Sequence, residues 1–504
     1  MNRSVGFQSS ALSTQHPALR FVIPLLIILA GAAIQIHALV QDVRFYPDEA
    51  FFSTFARNAA LNGDWLLHGD LDKTPLSIYA SALSMHFVAA SVQNGVLDFD
   101  PRLGEFAARL PSALGSIVLT AIAYMLAQKL YRRRVISAWA AIFVAFSPYT
   151  AVYGATAYTD GLMLTFAALS LLLAARGKWF WSGLAMALAF ACKQQALYLL
   201  PLALALGWLT DRITLRRLAA YFAPLIAGVA LLIGWDDLRA QPTSLWALAA
   251  ANNTPIGLIR GDEVMPRLTE WLNYGRTLVG TPTIVLAVAA LIMVGSETRR
   301  KLQRAARIDL LLLIYILAYL LINWLIGFNI YPRYLLPLII PAALLAARTV
   351  FWLWIWVRLR LSEQEGVVLA AALVLTLAYG ARSSSESRAD LSEDGSDYTG
   401  ILALADKLNE QTLGAVVYDH WLGWELGYYM GQWTDKRRVY YPTPEALVAD
   451  ALKLADPAPR YFVAPIGQPI KPWLDALRSA NFAVDQFYEQ QGFIVYKLIP
   501  PSGA

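Results

Sequence analysis

Long runs of apolar residues limit this chain to very few folds. Each run has about 15–22 residues, close to what a helix needs to cross a hydrocarbon core of roughly 30 Å. The runs lie at 21–40, 109–130, 136–153, 159–175, 179–193, 196–210, 217–235, 278–295, 308–326, 334–352 and 366–381. Only 15% of the 504 residues are charged, against about a quarter in soluble domains. The sequence predicts a polytopic α-helical membrane protein with about eleven transmembrane helices.

Basic residues in the short loops predict the orientation of these helices, because Lys and Arg collect on the cytoplasmic side of membrane proteins. With a cytoplasmic N-terminus, every strongly basic short loop falls on that side. These loops are 129–134, 176–178, 212–217, 299–307 and 358–360. We therefore predict an integral protein of the plasma (inner) membrane, anchored first by an uncleaved signal anchor at 21–40. Because the basic residues lie between apolar runs, no nucleic-acid partner is expected despite the net charge of +5.

The segment 179–210 allows two interpretations, one long tilted helix or two shorter spans. A single helix would place all later basic loops outside, which the charge pattern opposes. Two spans place Lys193 and Gln194 in an outer turn, where polar groups can be hydrated. We expect two spans.

Composition divides the chain into three parts. Residues 1–382 form the transmembrane module, with a long first outer loop at about 41–108, and residues 383–399 form an acidic, Ser-rich linker. Residues 400–504 alternate β-rich and helical stretches, which predicts a small extracytoplasmic α/β domain. The β-rich runs are Ala415–Tyr418, Arg438–Tyr441, Tyr461–Ala464, Phe482–Phe487 and Phe493–Leu498, and the helical stretches include Pro444–Leu454 and Pro472–Ala480.

The two long outer loops contain further patterns. Glu49–Leu61 has the apolar spacing of a helix on the membrane surface, and Ser77–Val92 is apolar enough to dip into the interface. The second outer loop, at about 236–277, is either a substrate lid or a connector, with the connector slightly favoured.

Ionisable residues collect on the outer side of this predicted topology. They are Asp48 and Glu49 after the first span, Asp72 and Lys73 in the same loop, Asp160 at the start of the fourth span, Lys193 at the end of the fifth and Arg333 at the start of the tenth. A carboxylate can take the proton from an acceptor hydroxyl that attacks an anomeric carbon, and cations stabilise a departing phosphate. The set therefore fits glycosyl transfer from a polyprenyl-phosphate sugar.

Each of these residues also has a purely structural interpretation. Asp48, Glu49 and Asp160 suit helix N-termini, where acids interact favourably with the helix dipole. The three cations can extend to lipid headgroups. Because charges near a bilayer core are costly, the convergence of the whole set favours a functional site.

Aromatic residues and histidines give weaker indications. Trp421, Trp424, Tyr428 and Tyr429 either stack on sugar rings or, as we favour, pack the C-terminal domain or touch the bilayer. The histidines at 37, 68, 86 and 420 share no metal-ligand spacing, so a structural zinc site is not predicted.

The ordered motifs resemble those of the GT-C glycosyltransferases of the dolichyl-phosphate-mannose protein mannosyltransferase and lipid A aminoarabinose transferase type. The resemblance covers roughly residues 20–350. Its motifs are Pro47-Asp48-Glu49-Ala50, Gly63-Asp64-Trp65, Asp72-Lys73-Thr74-Pro75-Leu76, Tyr158-Thr159-Asp160-Gly161, Lys193 and Arg333-Tyr334-Leu335-Leu336-Pro337.

This resemblance implies a membrane-embedded, inverting transferase that uses a polyprenyl-phosphate-linked sugar, usually without a nucleotide. It implies Asp48 as the general base, Glu49 as its acidic neighbour and Asp160 as the second acidic position. It implies that Lys73, Lys193 and Arg333 bind the donor phosphate, and we add Asp72 and Tyr334 as auxiliary residues.

The sequence departs from the family pattern at two positions. Thr74 stands where the family often has Pro, which changes little. Phe51 stands where the aminoarabinose transferases place a basic residue, which weakens any assignment of their particular donor or acceptor.

Transfer of a sugar at the outer membrane face is thus the leading functional hypothesis. The expected partners are the polyprenyl-phosphate-linked donor, a protein, lipid or glycan acceptor, and membrane lipids. No cofactor is expected to be obligatory, although Asp48, Glu49 and Asp160 leave a divalent cation open. The alternatives are a lipid-linked sugar transporter or flippase without transferase activity, and a membrane anchor whose C-terminal domain binds a ligand. Most spans lack interior charges and show no clear repeat, which argues against a transporter.

Overall fold

The computed structural model describes residues 19–501, except 94–95, 254, 256, 300–302, 359, 361, 389–397, 432–435 and 455–457. Most of the described residues are helical. Their α-helices are α1 (Leu19–Leu39), α2 (Pro47–Asn62), α3 (Leu76–Val88), α4 (Pro101–Tyr131), α5 (Arg134–Ala145), α6 (Pro148–Tyr153), α7 (Asp160–Ala175), α8 (Trp179–Cys192), α9 (Leu200–Thr210), α10 (Leu215–Leu238), α11 (Leu245–Asn253), α12 (Val264–Gly275), α13 (Thr283–Thr298), α14 (Arg304–Leu325), α15 (Ile339–Val357), α16 (Glu363–Ser387), α17 (Ile401–Asn409), α18 (Gly423–Tyr429), α19 (Pro444–Lys453) and α20 (Lys471–Ser479). Their 3₁₀ helices are Gln194–Leu199, Gly261–Glu263 and Pro332–Leu338.

Within the described residues, six helices are long and apolar enough to cross a membrane. They are Phe21–Leu39, Pro101–Tyr131, Leu215–Leu238, Arg304–Leu325, Pro332–Val357 and Glu363–Ser387. Shorter apolar helices are Leu76–Val88, Arg134–Ala145, Asp160–Ala175, Trp179–Cys192 and Thr283–Thr298. The predicted polytopic helical fold is confirmed, whereas the number of about eleven spans stays a prediction.

Small residues let the apolar helices approach each other closely. A Cβ added at Gly183 of α8 would lie 1.9 Å from the carbonyl oxygen of Tyr221 in α10. A Cβ added at Gly31 of α1 would lie 3.0 Å from the Cβ of Ala145 in α5. Close backbone contact is how helices associate in lipid, where the hydrophobic effect between them is weak.

The segment 179–210 is broken at Lys193. Helix α8 ends at Cys192, Lys193 has an extended backbone with φ −161° and ψ 133°, and the 3₁₀ turn Gln194–Leu199 leads into α9. The structure therefore shows two helical segments with Lys193 at the break between them, and their crossing of the membrane as two spans stays a prediction.

Residues 41–108 differ in part from expectation. They contain α2, α3, the antiparallel strands β1 (Ala90–Gln93) and β2 (Val96–Phe99), and the first turns of α4, which begins at Pro101. Helix α2 was expected on the membrane surface, but Phe51, Phe52 and Phe55 are buried against protein. The ring centroid of Phe51 lies 4.3 Å from that of Trp424 in α18, so the C-terminal domain covers this face instead of lipid.

The C-terminal part forms the predicted α/β domain. Its strands are β3 (Val416–Asp419), β4 (Arg437–Tyr440), β5 (Arg460–Pro465), β6 (Ala483–Gln490) and β7 (Phe493–Ile499). In the described residues they make a five-stranded sheet in the order β4-β3-β5-β7-β6. Strand β3 is parallel to β4 and β5, whereas β7 is antiparallel to β5 and β6. Every predicted β-rich run and both predicted helical stretches correspond to elements of this domain.

The last long helix of the transmembrane module extends beyond residue 382, where the module was expected to end. Helix α16 continues to Ser387, into the segment 383–399 that was predicted to be a linker. The remainder of that linker, 389–397, lies outside the described residues.

Candidate active site

Five separate segments bring the predicted charged residues to one end of the helix bundle. Asp48 lies in the first turn of α2, Asp160 begins α7 and Lys193 directly follows α8. Lys73 precedes α3, and Arg333 lies in the 3₁₀ turn before α15. The residues converge because these helix ends meet, not because they are close in sequence.

Asp48 and Arg333 form an ion pair at this end. The Arg333 Nη1 donates to Asp48 Oδ2 at 2.5 Å. The Asp48 side chain is 43% exposed, so its carboxylate is open to a ligand on one side. The Arg333 guanidinium lies 5.1 Å from the ring centroid of Tyr158 and 5.2 Å from that of Tyr331. These two rings hold the guanidinium beside Asp48 by cation–π attraction.

Asp160 and Lys193 form a second pair that is almost fully buried. The Lys193 ammonium donates to both carboxylate oxygens of Asp160, at 2.7 and 2.9 Å. It also lies 5.7 Å from the ring centroid of Tyr334. The charges of Arg333 and Lys73 both act on Lys193, so the three predicted cations lie in one electrostatic neighbourhood.

Lys73 pairs with its neighbour Asp72. The Lys73 Nζ donates to Asp72 Oδ2 at 2.5 Å, and Asn252 Nδ2 donates to the same oxygen at 3.1 Å. The backbone carbonyl of Asp72 accepts from Gln194 Nε2 at 3.2 Å. Asp72 thus orients Lys73 and ties it to α11 and to the turn after Lys193.

A cavity of about 490 Å³ is lined by two of the predicted cations, Lys73 and Lys193. Its lining includes Lys73, Lys193, Gln194, Gln195, Tyr198, Asn252, Asn253, Tyr319, Asn323, Phe328, Asn329 and Tyr334. The wall is rich in hydrogen-bond donors and contains two cations, a composition suited to an anionic headgroup. The loop 236–277 was slightly favoured as a connector, but its helix α11 forms part of this wall, which favours a covering role.

Glu49 does not face this cavity. Its side chain is fully buried, and Arg109 of α4 donates from Nε to Oε1 and from Nη2 to Oε2, both at 2.8 Å. The backbone N–H of Ala157 donates to Oε1 at 2.9 Å. Burial by itself raises the pKa of the Glu49 carboxyl, but the charge and hydrogen bonds of Arg109, with the Ala157 bond, outweigh burial and hold the pKa below its usual value. Glu49 is therefore an ionised partner of Arg109.

The three carboxylates considered for a divalent ion each have a different cationic partner. Asp48 pairs with Arg333, Glu49 with Arg109 and Asp160 with Lys193. Among the residues that the structure describes, no group of three or more His, Cys, Asp or Glu side chains is arranged to hold a metal ion.

Several residues of this region were not predicted. Arg109 lies at the start of a long apolar run, and an ionisable residue in such a run is a sequence indication of a buried ion pair or a functional site. Tyr158 lies within one of the family motifs, but it is uncharged, so the search for ionisable residues does not identify it. The sequence around Asn252 indicates only a turn, and no local pattern predicts that its side chain contacts Asp72.

Comparisons with known proteins bear on the fold and the family of the chain. The sequence profile of a family described as dolichyl-phosphate-mannose-protein mannosyltransferase matches residues 100–235. No curated protein sequence is significantly similar to the chain.

Two solved structures match most of the chain. ArnT from Cupriavidus metallidurans, bound to undecaprenyl phosphate, has 14% identity and a TM-score of 0.63, and the match covers 96% of this chain and 98% of that one. The mycobacterial arabinofuranosyltransferase AftD has 17% identity and a TM-score of 0.49, with 98% of this chain and 40% of that one covered. The ArnT likeness shows a shared fold, which confirms the predicted fold class, and the profile match over residues 100–235 agrees with the family resemblance of the motifs.

Proposed function

We propose that this chain, which has the fold of the GT-C glycosyltransferases, is a membrane glycosyltransferase that moves a sugar from a polyprenyl-phosphate donor to an acceptor hydroxyl at the outer membrane face. One observation carries the proposal. A partly exposed carboxylate, Asp48, pairs with Arg333, whose neighbour Tyr334 lines a polar cavity together with Lys73 and Lys193. A base and a set of phosphate-binding cations are the two parts that such a transfer needs.

The cations suit the donor's phosphate. Lys73 and Lys193 line the cavity, and Arg333, which pairs with Asp48, directly precedes the cavity-lining Tyr334. Arginine and lysine are the side chains that most often bind phosphate oxygens. That ArnT binds undecaprenyl phosphate supports a lipid-phosphate donor of this class.

The reaction is a single displacement. The acceptor oxygen attacks the anomeric carbon from the face opposite the phosphate, the carbon–phosphate-oxygen bond breaks, and the acceptor proton passes to Asp48. The configuration at the anomeric carbon inverts. The polyprenyl phosphate leaves with one more negative charge than it had in the donor, and Lys73, Lys193 and Arg333 stabilise that charge where water is partly excluded.

The remaining acidic residues orient these cations or the backbone beside Asp48. Asp72 holds Lys73, and Asp160 holds Lys193, so that the ammonium groups are oriented before the donor enters. Tyr334 supports Lys193 from the cavity wall. Glu49 acts through its pairing with Arg109, which fixes the start of α2 next to Asp48.

The charge pattern of the loops supports the outer face. Every strongly basic short loop lies on the side opposite Asp48 in the topology with a cytoplasmic N-terminus. This orientation places the site and the α/β domain on the extracytoplasmic side of the inner membrane.

The test is a transfer assay with the purified full-length chain in nanodiscs, with polyprenyl-phosphate sugars and candidate acceptors. We expect donor consumption and a glycosylated product, with turnover lost in Asp48→Asn and strongly reduced in Lys73→Ala. Asp262→Asn, at a carboxylate that is 75% exposed in the second loop, and Lys407→Ala, in the C-terminal domain, are matched controls that keep activity. Full activity in Asp48→Asn, or movement of donor lipid across liposomes without any product, would overturn the proposal.

A further inference from the structure

We propose that the C-terminal α/β domain positions the general base, and that Tyr429 is the positioning residue through which it does so. The inference rests on the proposed function, because it assigns a partner to Asp48. It goes beyond that function by giving the C-terminal domain a part in turnover.

Tyr429, at the end of α18, bridges two parts of the transmembrane module. Its hydroxyl donates to Glu105 Oε1 of α4 and accepts from the backbone N–H of Phe45 at 2.8 Å. The side chain is buried. Phe45 precedes Asp48 by three residues, so a side chain of the C-terminal domain holds the backbone that leads to the base.

The acceptor of this bridge, Glu105, belongs to a buried network on α4. Arg44 Nη1 lies 2.9 Å from Glu105 Oε2, so Glu105 joins Arg44 and Tyr429 through its two oxygens. One turn further along α4, Arg109 donates to the carbonyl of Val43 at 2.8 Å and to that of Arg44 at 3.2 Å. The same guanidinium binds Glu49.

These contacts fix the chain on both sides of Asp48. Residues 43–45 are held by Arg109, Glu105 and Tyr429, and Glu49 is held by Arg109. Asp48 lies between these two anchored points, while its own side chain remains partly exposed toward Arg333. A carboxylate that must meet an acceptor hydroxyl at hydrogen-bond distance benefits from such a fixed backbone.

Tyr428 gives the domain a second contact with the same region. Its hydroxyl donates to the carbonyl of Pro101 at 2.9 Å, and its ring packs edge-on against Phe45 at 4.7 Å between centroids. Because Tyr428 keeps the domain in place, removing the Tyr429 hydroxyl should loosen the segment before Asp48 without releasing the domain.

The experiment compares Tyr429→Phe with Tyr418→Phe in the full-length chain. Tyr418 is a buried tyrosine of the same domain, but its hydroxyl donates to Asp450 within the domain, so it controls for the loss of one hydroxyl. We expect Tyr429→Phe to lower kcat by roughly tenfold or more, since small misplacement of a catalytic group is costly. The KM for the donor should stay unchanged, because the cations are untouched.

Hydrogen–deuterium exchange provides a readout that does not need activity. Peptides covering 42–52 should exchange faster in Tyr429→Phe and at the wild-type rate in Tyr418→Phe. Equal exchange in the two variants, or wild-type kcat in Tyr429→Phe, overturns the inference. If the wild-type chain transfers no sugar, the proposed function fails, but the exchange comparison still decides whether Tyr429 holds this segment.

Discussion

The guanidinium of Arg333 lies 2.5 Å from the carboxylate of Asp48, although 285 residues separate them in the chain. The contact joins the first segment after α1 to the turn that precedes α15. It places an acid that can accept a proton next to a cation that can bind phosphate. The proposed chemistry depends on this neighbourhood of Asp48 and Arg333.

Replacing Arg333 should strongly reduce turnover. Arg333→Ala removes a cation from the developing phosphate charge, and we expect kcat to fall by about 10²–10³-fold, the effect of losing one preorganised donor. Arg333→Lys should recover only part of the lost kcat, because lysine keeps the positive charge but lacks the planar guanidinium that binds two phosphate oxygens at once.

The matched control for this series is Arg260→Ala, at a side chain that is 77% exposed and outside the site. Initial rates at saturating donor measure the effect. An Arg333→Ala variant as active as Arg260→Ala would remove Arg333 from the account.

The buried pair of Lys193 and Asp160 should contribute to stability and to donor binding separately. Lys193→Met or Asp160→Leu alone leaves a buried charge unpaired, with an expected cost of about 3–5 kcal/mol. The double substitution should recover most of this cost, since no buried charge remains. It should not recover binding of polyprenyl phosphate, because the cation is still missing.

Thermal unfolding in detergent and polyprenyl-phosphate binding measure these two effects. A double variant as unstable as either single variant would show that the pair does not act as a unit. Wild-type lipid-phosphate binding in the double variant would show that Lys193 does not contact the phosphate.

Stability should depend on pH through Glu49. Its pKa in the folded chain lies below the ordinary value of 4.5, mainly because Arg109 outweighs the effect of burial. The contribution of the Glu49 carboxylate to the free energy of unfolding is therefore fully present above about pH 4.5. It is lost as the pH falls through the pKa of Glu49 in the folded chain. Glu49→Gln should be less stable than wild type by about 3–5 kcal/mol at pH 7, since Arg109 is left without its anion.

The melting temperatures of both chains between pH 7 and pH 3.5 test this prediction. The difference between wild type and Glu49→Gln should shrink as the pH falls below about 4.5. A difference that stays constant over the whole range would contradict an ionised Glu49.

Chelation should leave transfer intact. Asp48, Glu49 and Asp160 each pair with a different cation, so a divalent ion would have to displace existing partners. We expect the same kcat with and without EDTA in the transfer assay. Loss of activity in EDTA, restored by Mg²⁺ or Mn²⁺, would mean that the donor brings these carboxylates into a different arrangement.

Much of the fold follows from local sequence patterns. Apolar runs of membrane length predict the helices, and alternating β-rich and helical stretches predict the C-terminal domain. Lys193 marks the break after α8 because an ammonium group is poorly tolerated inside an apolar helix. The order of the short motifs identified the residues that the structure brings together.

The parts that could not be predicted are contacts between distant segments. The pairing of Glu49 with Arg109 spans 60 residues, and the contact of Tyr429 with Glu105 spans 324. The sequence of α2 has an apolar face that is compatible with a helix on the membrane surface. The same pattern arises when protein covers that face, so the sequence does not distinguish the two cases. Only the three-dimensional arrangement shows that Trp424 of the C-terminal domain covers that face.

The most direct test of the central claim is a cryo-EM structure of the chain with polyprenyl phosphate bound. The account predicts the phosphate within about 3.2 Å of nitrogen atoms of Lys73, Lys193 and Arg333, with Asp48 facing the position of the donor sugar. A phosphate bound at the opposite end of the helix bundle, or too far from Asp48 for one sugar to span the gap, would contradict it.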